Sequence, residues 1–298
     1  MLIEPRTVKL TTRTGVAVRR TLPHRDLKMI GAWCFVDHFG PTKQTDGMVV
    51  AAHPHTGLQT ATWLIEGAIE HRDSIGSVQI IKPGQLNLMT AGRGISHSEL
   101  SRTSDQNQGP ENLHAVQLWI ALPKDSINTA PEFEHQAKLP TIATDTFQAT
   151  VLAGEFMGKM AKTKTFSPMM GAELRFDQQT STQIPLNSQF EHGFMLASGE
   201  LTVNGQPVPV SGLYFVAAGA ESVNIQASPG SIVLMLGGQP SGEKILMWWN
   251  FIGRTHEEIV KARADWNAAD PARFPGFEDS IGERIPAPDL PNVTLQSR

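Results

Sequence analysis

The chain contains a single cysteine, Cys34, which excludes an intrachain disulfide and any cysteine-ligated zinc cluster. No apolar run approaches the roughly 20 residues of a membrane-spanning helix. Glu4 and Arg6 interrupt the stretch where a secretory leader needs unbroken apolar sequence. Charge of one sign is also lacking, with 25 basic residues against 29 acidic ones and a net charge of −4. That balance has neither the basic footprint of a nucleic-acid binder nor an acidic tail. The expectation left standing is a soluble, cytoplasmic protein, a monomer, with no membrane and no direct nucleic-acid partner.

What is present points to short strands. Glycine (26) and proline (20) are plentiful. Between residues 47 and 122, turn signals at Glu66-Gly67, Asp73-Ser74-Ile75-Gly76, Pro83-Gly84 and Gly92-Arg93-Gly94 punctuate short apolar clusters. Turns every roughly 8–12 residues are the spacing of a sandwich or barrel. Thr60–Ile65, Ser77–Ile81, Gln85–Met89 and Ala115–Ala121 read as strands. Residues 123–145 are polar, carry three prolines and lack periodicity, which marks a domain junction. Thr255 and Glu258 form a capping-box pattern ahead of IVKARADW, the one convincing helix. The Pro-rich tail after residue 270 reads as an extended strap.

An internal echo runs through the chain. LIEG (64–67) is answered by LASG (196–199), KPG (82–84) by VSG (210–212), and LMTAG (88–92) by FVAAG (215–219), at offsets of 132, 128 and 127 residues. Matches in the same order suggest a duplicated β-barrel. The expected division is an N-terminal barrel over 1–132 and a C-terminal barrel, helix and tail over 133–298. Carried over at these offsets, His97 and Glu99 fall opposite Asn224 and Gln226, and His53 and His55 fall near Pro185 and Asn187. The second copy is therefore expected to lack the donors of the first.

Those donors come in two pairs. AAHPHTG places His53 and His55 two residues apart, and GRGISHSEL gives His97 and Glu99 the same spacing. In an extended chain, residues i and i+2 point to one side. Two such segments facing one another would gather three imidazoles and a carboxylate, a donor set suited to iron, copper, nickel, manganese or zinc. Four protein donors on a six-coordinate ion leave two positions open. The plain alternative is that each histidine is an ordinary hydrogen-bonded core or surface residue. His24, His114, His135, His192 and His256 have no partner at ligand spacing and read that way. His38 beside Asp37, and His71 near Asp73, are candidates for orienting a ligand from behind.

Other side chains read more simply. Arg93 is a solvated turn residue or a contact for an anionic substrate. Trp33, Phe35, Phe39 and Trp63 read as core before pocket lining, Trp248 and Trp249 as anchors of the C-terminal segment, and Cys34 as buried.

The placement of Gly47 and Gly84 resembles the two motifs of the cupin superfamily. HPHTGLQTATWLIEGAIEHRDSIG followed by KPGQLNLMTAGRGISHSE narrows this to a close resemblance, over about 47 residues, to the pirin family. VDHFGP (36–41), FIGRTHEEI (251–259) and IGERIPAPDLP (281–291) extend it nearly end to end. The resemblance implies an all-β fold of two tandem cupin (jelly-roll) β-barrels with a short C-terminal helix and extended tail. It also implies one metal, usually ferrous iron, held in the first barrel by His53, His55, His97 and Glu99. Gln59 departs from the glutamate common at that position in the family, which leaves the four donors intact. Some members are similar to quercetin 2,3-dioxygenases, which implies a flavonol and dioxygen as substrates, with Glu99 as both ligand and base. Others resemble non-catalytic iron-dependent regulators that bind partner proteins.

Overall fold

The computed structural model describes residues 1–10, 17–43, 48–102, 112–277 and 284–297. Gly47 and residues 281–283 lie outside these. Strand is the dominant element, and the described residues hold one α-helix at His256–Asn267 and a 3-10 turn at Lys124–Ser126. The four expected strands are present as Leu58–Glu66, Val78–Ile81, Leu86–Thr90 and Asn112–Ala121. Thr255 caps the helix: its hydroxyl accepts from the Glu258 N–H while the Glu258 carboxylate accepts from the Thr255 N–H.

Two compact units emerge, each a jelly roll of two sheets rather than a closed barrel. One holds residues 9–18, 39–135 and 242–298; the other holds 1–8, 19–38 and 136–241. The crossing at 135/136 falls within the expected junction, yet the units also interleave at both ends. The helix and tail, expected with the second domain, are part of the first jelly roll's unit. The reason is long-range pairing that no local pattern reveals. Ile252 N–H donates to Thr56 O and Ile285 N–H to Ala52 O. Trp266, Phe251, Ile259 and Phe274 bury a common apolar cluster with Ala287 of the tail. At the other end, Leu2–Ile3 pairs with Leu213–Val216.

In the first unit a four-stranded sheet runs in the order Val49–His55, Ile95–Arg102, Ala68–Asp73, Val78–Ile81. Leu58–Glu66 of the opposing sheet lies between Leu86–Thr90 and Asn112–Ala121. The second unit repeats both arrangements. Its four-stranded sheet runs Thr180–Pro185, Ser222–Ala227, Leu201–Val203, Gln206–Val208, and Glu191–Ser198 lies between Leu213–Val216 and Ser231–Gly238. Each sequence echo thus falls at the end of a strand, or in the turn that follows one, in the matching place, as expected for a duplication.

The second jelly roll closes on hydrocarbon. Val223, Ile225 and Ala227 from one sheet meet Phe194, Leu196, Val233 and Met235 from the other. Phe194 is fully buried there. Truncating a buried phenylalanine removes its transfer energy and leaves a cavity, together about 3–5 kcal/mol. Phe194→Ala is expected to lose that much in a urea titration, read as a lower midpoint.

Candidate metal centre

Strand pairing assembles the site. Ile95–Arg102 lies between Val49–His55 and Ala68–Asp73, with His97 opposite His53 on one side and Asp73 on the other. On the same strand Ile95 faces His55, and Glu99 faces His71. Directly opposed residues share a face of the sheet, and so do residues two apart. His53, His55, His97, Glu99, His71 and Asp73 therefore converge on one side. An irregularity between His97 and Glu99 shifts the register against the His53 strand. Such bulges re-aim a side chain. Pro54 is tolerated because its strand lies at the sheet edge.

The imidazoles of His53, His55 and His97 are all buried, with ring centroids 4.3–5.0 Å apart. One donor atom from each lies within 4.8 Å of the others, and a second group, His71, His97 and Glu99, shares His97 with the first. The structure thus joins the three predicted histidines directly and brings Glu99 in beside His97 and His71. His38 is elsewhere: it falls in the other unit, with Nδ1 2.6 Å from Ser211 Oγ.

The outer nitrogens fix how the inner ones point. His53 Nδ1 is 3.0 Å from Ala51 O, and His55 Nδ1 is 3.2 Å from Asn250 O. A carbonyl can only accept, so both rings carry their proton on Nδ1 and present a bare Nε2. Burial drives the basicity of all three rings down. His53 is lowered to about 4 by desolvation, aided by repulsion from His71 and opposed by its bond to Ala51. His55 and His97 fall well below the ordinary range, by desolvation and then by repulsion from the neighbouring rings. At a pKa near 4, roughly one ring in a thousand is protonated at pH 7. Yet Nε2 of His55 and Nε2 of His97 lie 3.1 Å apart. With the His97 proton on Nδ1 as well, two lone pairs face one another at that distance, an arrangement that a cation between them would relieve. That arrangement fits a metal-binding group far better than a hydrogen-bonded core.

Glu99 complements the rings. Part of its surface stays exposed, but its carboxyl lies deep enough that burial pushes its pKa up, with His71 opposing. Around the cluster, Trp119 meets His55 edge-on at 5.0 Å and Phe133 stacks on His71 at 4.6 Å. Neither aromatic, nor the Asn250 carbonyl 195 residues from His55, carried any sequence signal. Gly57 admits the C-terminal segment: its φ is +71°, and a Cβ would meet Ile252 O at 2.2 Å. Gln59 is buried and donates to Thr90 Oγ1 at 2.9 Å. Arg93 has an exposed side chain and binds neighbours through its backbone, as a turn residue does.

The second copy places its residues differently from the offset estimate. Asn224 and Gln226 are exposed, whereas Val223 and Ile225 face inward opposite Ile184 and Thr182. A slip of one residue exchanges the two faces of a strand, and offsets that drift with loop length cannot resolve it. The donors are still missing there, replaced by an apolar wall.

Fold and site together define a bicupin whose first jelly roll gathers histidine and carboxylate donors. The Pirin family profile matches residues 15–120, and the profile for the Pirin C-terminal cupin domain matches 171–274. The chain belongs to the pirin family. A Pseudomonas aeruginosa protein provisionally named quercetin 2,3-dioxygenase is 43% identical, over 93% of this chain and 87% of its own. A pirin-like protein of Caulobacter vibrioides is 34% identical, over 91% and 94%. A crystal structure of a quercetin 2,3-dioxygenase from Acinetobacter baumannii superposes with a TM-score of 0.94 at 40% identity, covering 100% of this chain and 97% of that one. Among the described residues no helix is long and apolar enough to cross a membrane.

Acid should unsettle this cluster. Unfolded histidines titrate near pH 6.5, while folded His53 stays neutral to about pH 4 and burial lowers His55 and His97 well below the ordinary range. Between those values the unfolded state binds more protons, so stability falls as pH falls. Glu99, with its raised pKa, works the other way, but three rings outweigh one carboxyl. The metal-free protein is expected to melt progressively lower from pH 7 to pH 5, by calorimetry. A flat profile would show that the rings are not buried neutral.

Proposed function

We propose that His53, His55, His97 and Glu99 hold one divalent metal ion, ferrous iron, and that the protein cleaves a flavonol such as quercetin with dioxygen. The observation that carries this reading is the convergence of bare, neutral imidazole nitrogens with Glu99 beside them. Similarity over the full chain to a quercetin 2,3-dioxygenase of Acinetobacter baumannii supports the substrate class. When bound, the metal supplies Lewis acidity and a redox partner for dioxygen.

The chain's own residues do the rest. Three uncharged imidazoles hold the ion without neutralising it, leaving one carboxylate as the charged donor. Glu99 then has a second task. A general base works best with a pKa near the operating pH, and burial moves this carboxyl in that direction. It accepts the proton of the flavonol hydroxyl next to the ring carbonyl, at a carboxylate oxygen. Trp119, packed against His55, and the buried side chains of Met89, Ala91 and Ile95 give the site apolar walls that exclude water.

Elemental analysis of protein purified without chelators should find about one metal per chain, lost in His53→Ala, as expected when one ligand is removed. Glu99→Gln should retain bound flavonol, seen as a shifted spectrum under anaerobic conditions, but turn it over at least about 100-fold more slowly, the usual contribution of a general base. A Glu99→Gln variant with metal and full turnover would refute the base assignment.

A further inference from the structure

Behind His97 stands a chain of buried groups that neither holds the ion nor meets the flavonol in the reading above. His97 Nδ1 lies 3.3 Å from Nδ1 of His71, and Nε2 of His71 lies 3.1 Å from Oδ2 of Asp73. Asp73 is itself fixed: its Oδ1 accepts from the N–H groups of Ile75 at 3.0 Å and Ser77 at 2.9 Å, in the turn that follows its strand. Phe133 stacks on the His71 ring with only 21° between the planes, which sets the tilt of that ring. His71 and Asp73 are both buried.

The proton positions follow from what each atom can do. An ionised carboxylate only accepts, so the neutral form of His71 carries its proton on Nε2 and leaves Nδ1 bare. A bare Nδ1 only accepts, so it calls for the His97 proton on Nδ1, which leaves Nε2 bare for a metal. Glu99, the other near neighbour of both rings, is likewise an acceptor when ionised. Whereas His53 and His55 are oriented by fixed backbone carbonyls, His97 is oriented by a side chain that could take either tautomer. Its state depends on Asp73.

We propose that Asp73, acting through His71, is a positioning residue that fixes the tautomer of His97 with Nε2 bare, and thereby sets the metal affinity of the site. The inference rests on the metal-centre reading and assigns its control to a carboxylate two imidazoles away.

Asp73→Asn isolates the effect. The amide oxygen must remain on the Ile75 and Ser77 N–H groups, because the reversed amide would set its NH2 against two donors. The turn is kept, and an N–H donor now faces His71 Nε2. That ring must shift its proton to Nδ1, which donates to His97 Nδ1 and leaves the His97 proton on Nε2, the atom meant for the metal. Each neutral ring keeps one proton throughout.

The test uses the full-length chain, stripped of metal and labelled with 15N. In the wild type, long-range 1H–15N correlations should show His97 protonated on Nδ1; in Asp73→Asn they should show it protonated on Nε2. Nickel(II) affinity, measured by competition with a chromogenic chelator, should fall about 10–100-fold, the usual effect of losing an outer partner of a ligand. The melting temperature of the metal-free protein should stay unchanged. In a His71→Phe background, adding Asp73→Asn should leave nickel affinity unaltered, since the link is already cut. The proposal is overturned if Asp73→Asn keeps the wild-type His97 tautomer, or binds nickel as tightly as the wild type, or costs the same factor without His71. A wild-type chain that shows the expected tautomers yet refuses nickel, zinc and iron would instead overturn the metal-centre reading.

Discussion

Everything at the site depends on one strand register, His97 opposite His53 on one side and Asp73 on the other. Because side chains alternate along a strand, that single alignment puts every donor on the inner face. A slip of one residue would turn them all outward. The second jelly roll shows the consequence of having no such donors to place. Its equivalent strands send Val223, Ile225 and Ile184 inward, and the space that could hold an ion is filled with hydrocarbon.

Burial gives the alignment its chemistry. In water three imidazoles near one another would take up protons as pH falls through the ordinary range. Inside the jelly roll, desolvation keeps them neutral and their inner nitrogens bare. The same desolvation acts on Glu99 with the opposite sign, making it a better proton acceptor than an exposed carboxylate. One physical cause thus acts on both the rings and the carboxyl, in opposite directions. The cost falls on orientation, since a buried ring with a misplaced proton cannot bind a metal. His53 and His55 each have a fixed backbone acceptor behind them, and His97 has the His71 ring.

Those acceptors come from far apart in the chain. Ala51 is two residues from His53, but the carbonyl that orients His55 belongs to Asn250. The segment that supplies it seats against the turn at Gly57, where any side chain would collide with Ile252 O. Ile285 of the tail then bonds to Ala52, on the strand that carries His53. The C-terminal helix and strap therefore brace the donor strand of the first jelly roll, which explains why they share its compact unit.

Much of this was legible in the sequence. Period-two spacing in HPH and HSE picked out four residues that the fold brings together, turn residues placed the strands, and the capping box placed the helix, because each is a local property of consecutive residues. His71 and Asp73 were legible as a candidate orienting pair, but not as His97's partner. Local pattern could not say which C-terminal residues return to brace the site, nor which face of the second copy's strands turns inward. Both depend on register between distant segments, and a register error of one residue inverts the answer. The sequence by itself determined which residues could hold a metal. Tertiary structure alone decided which nitrogens are bare, because that follows from the groups that folding sets behind each ring.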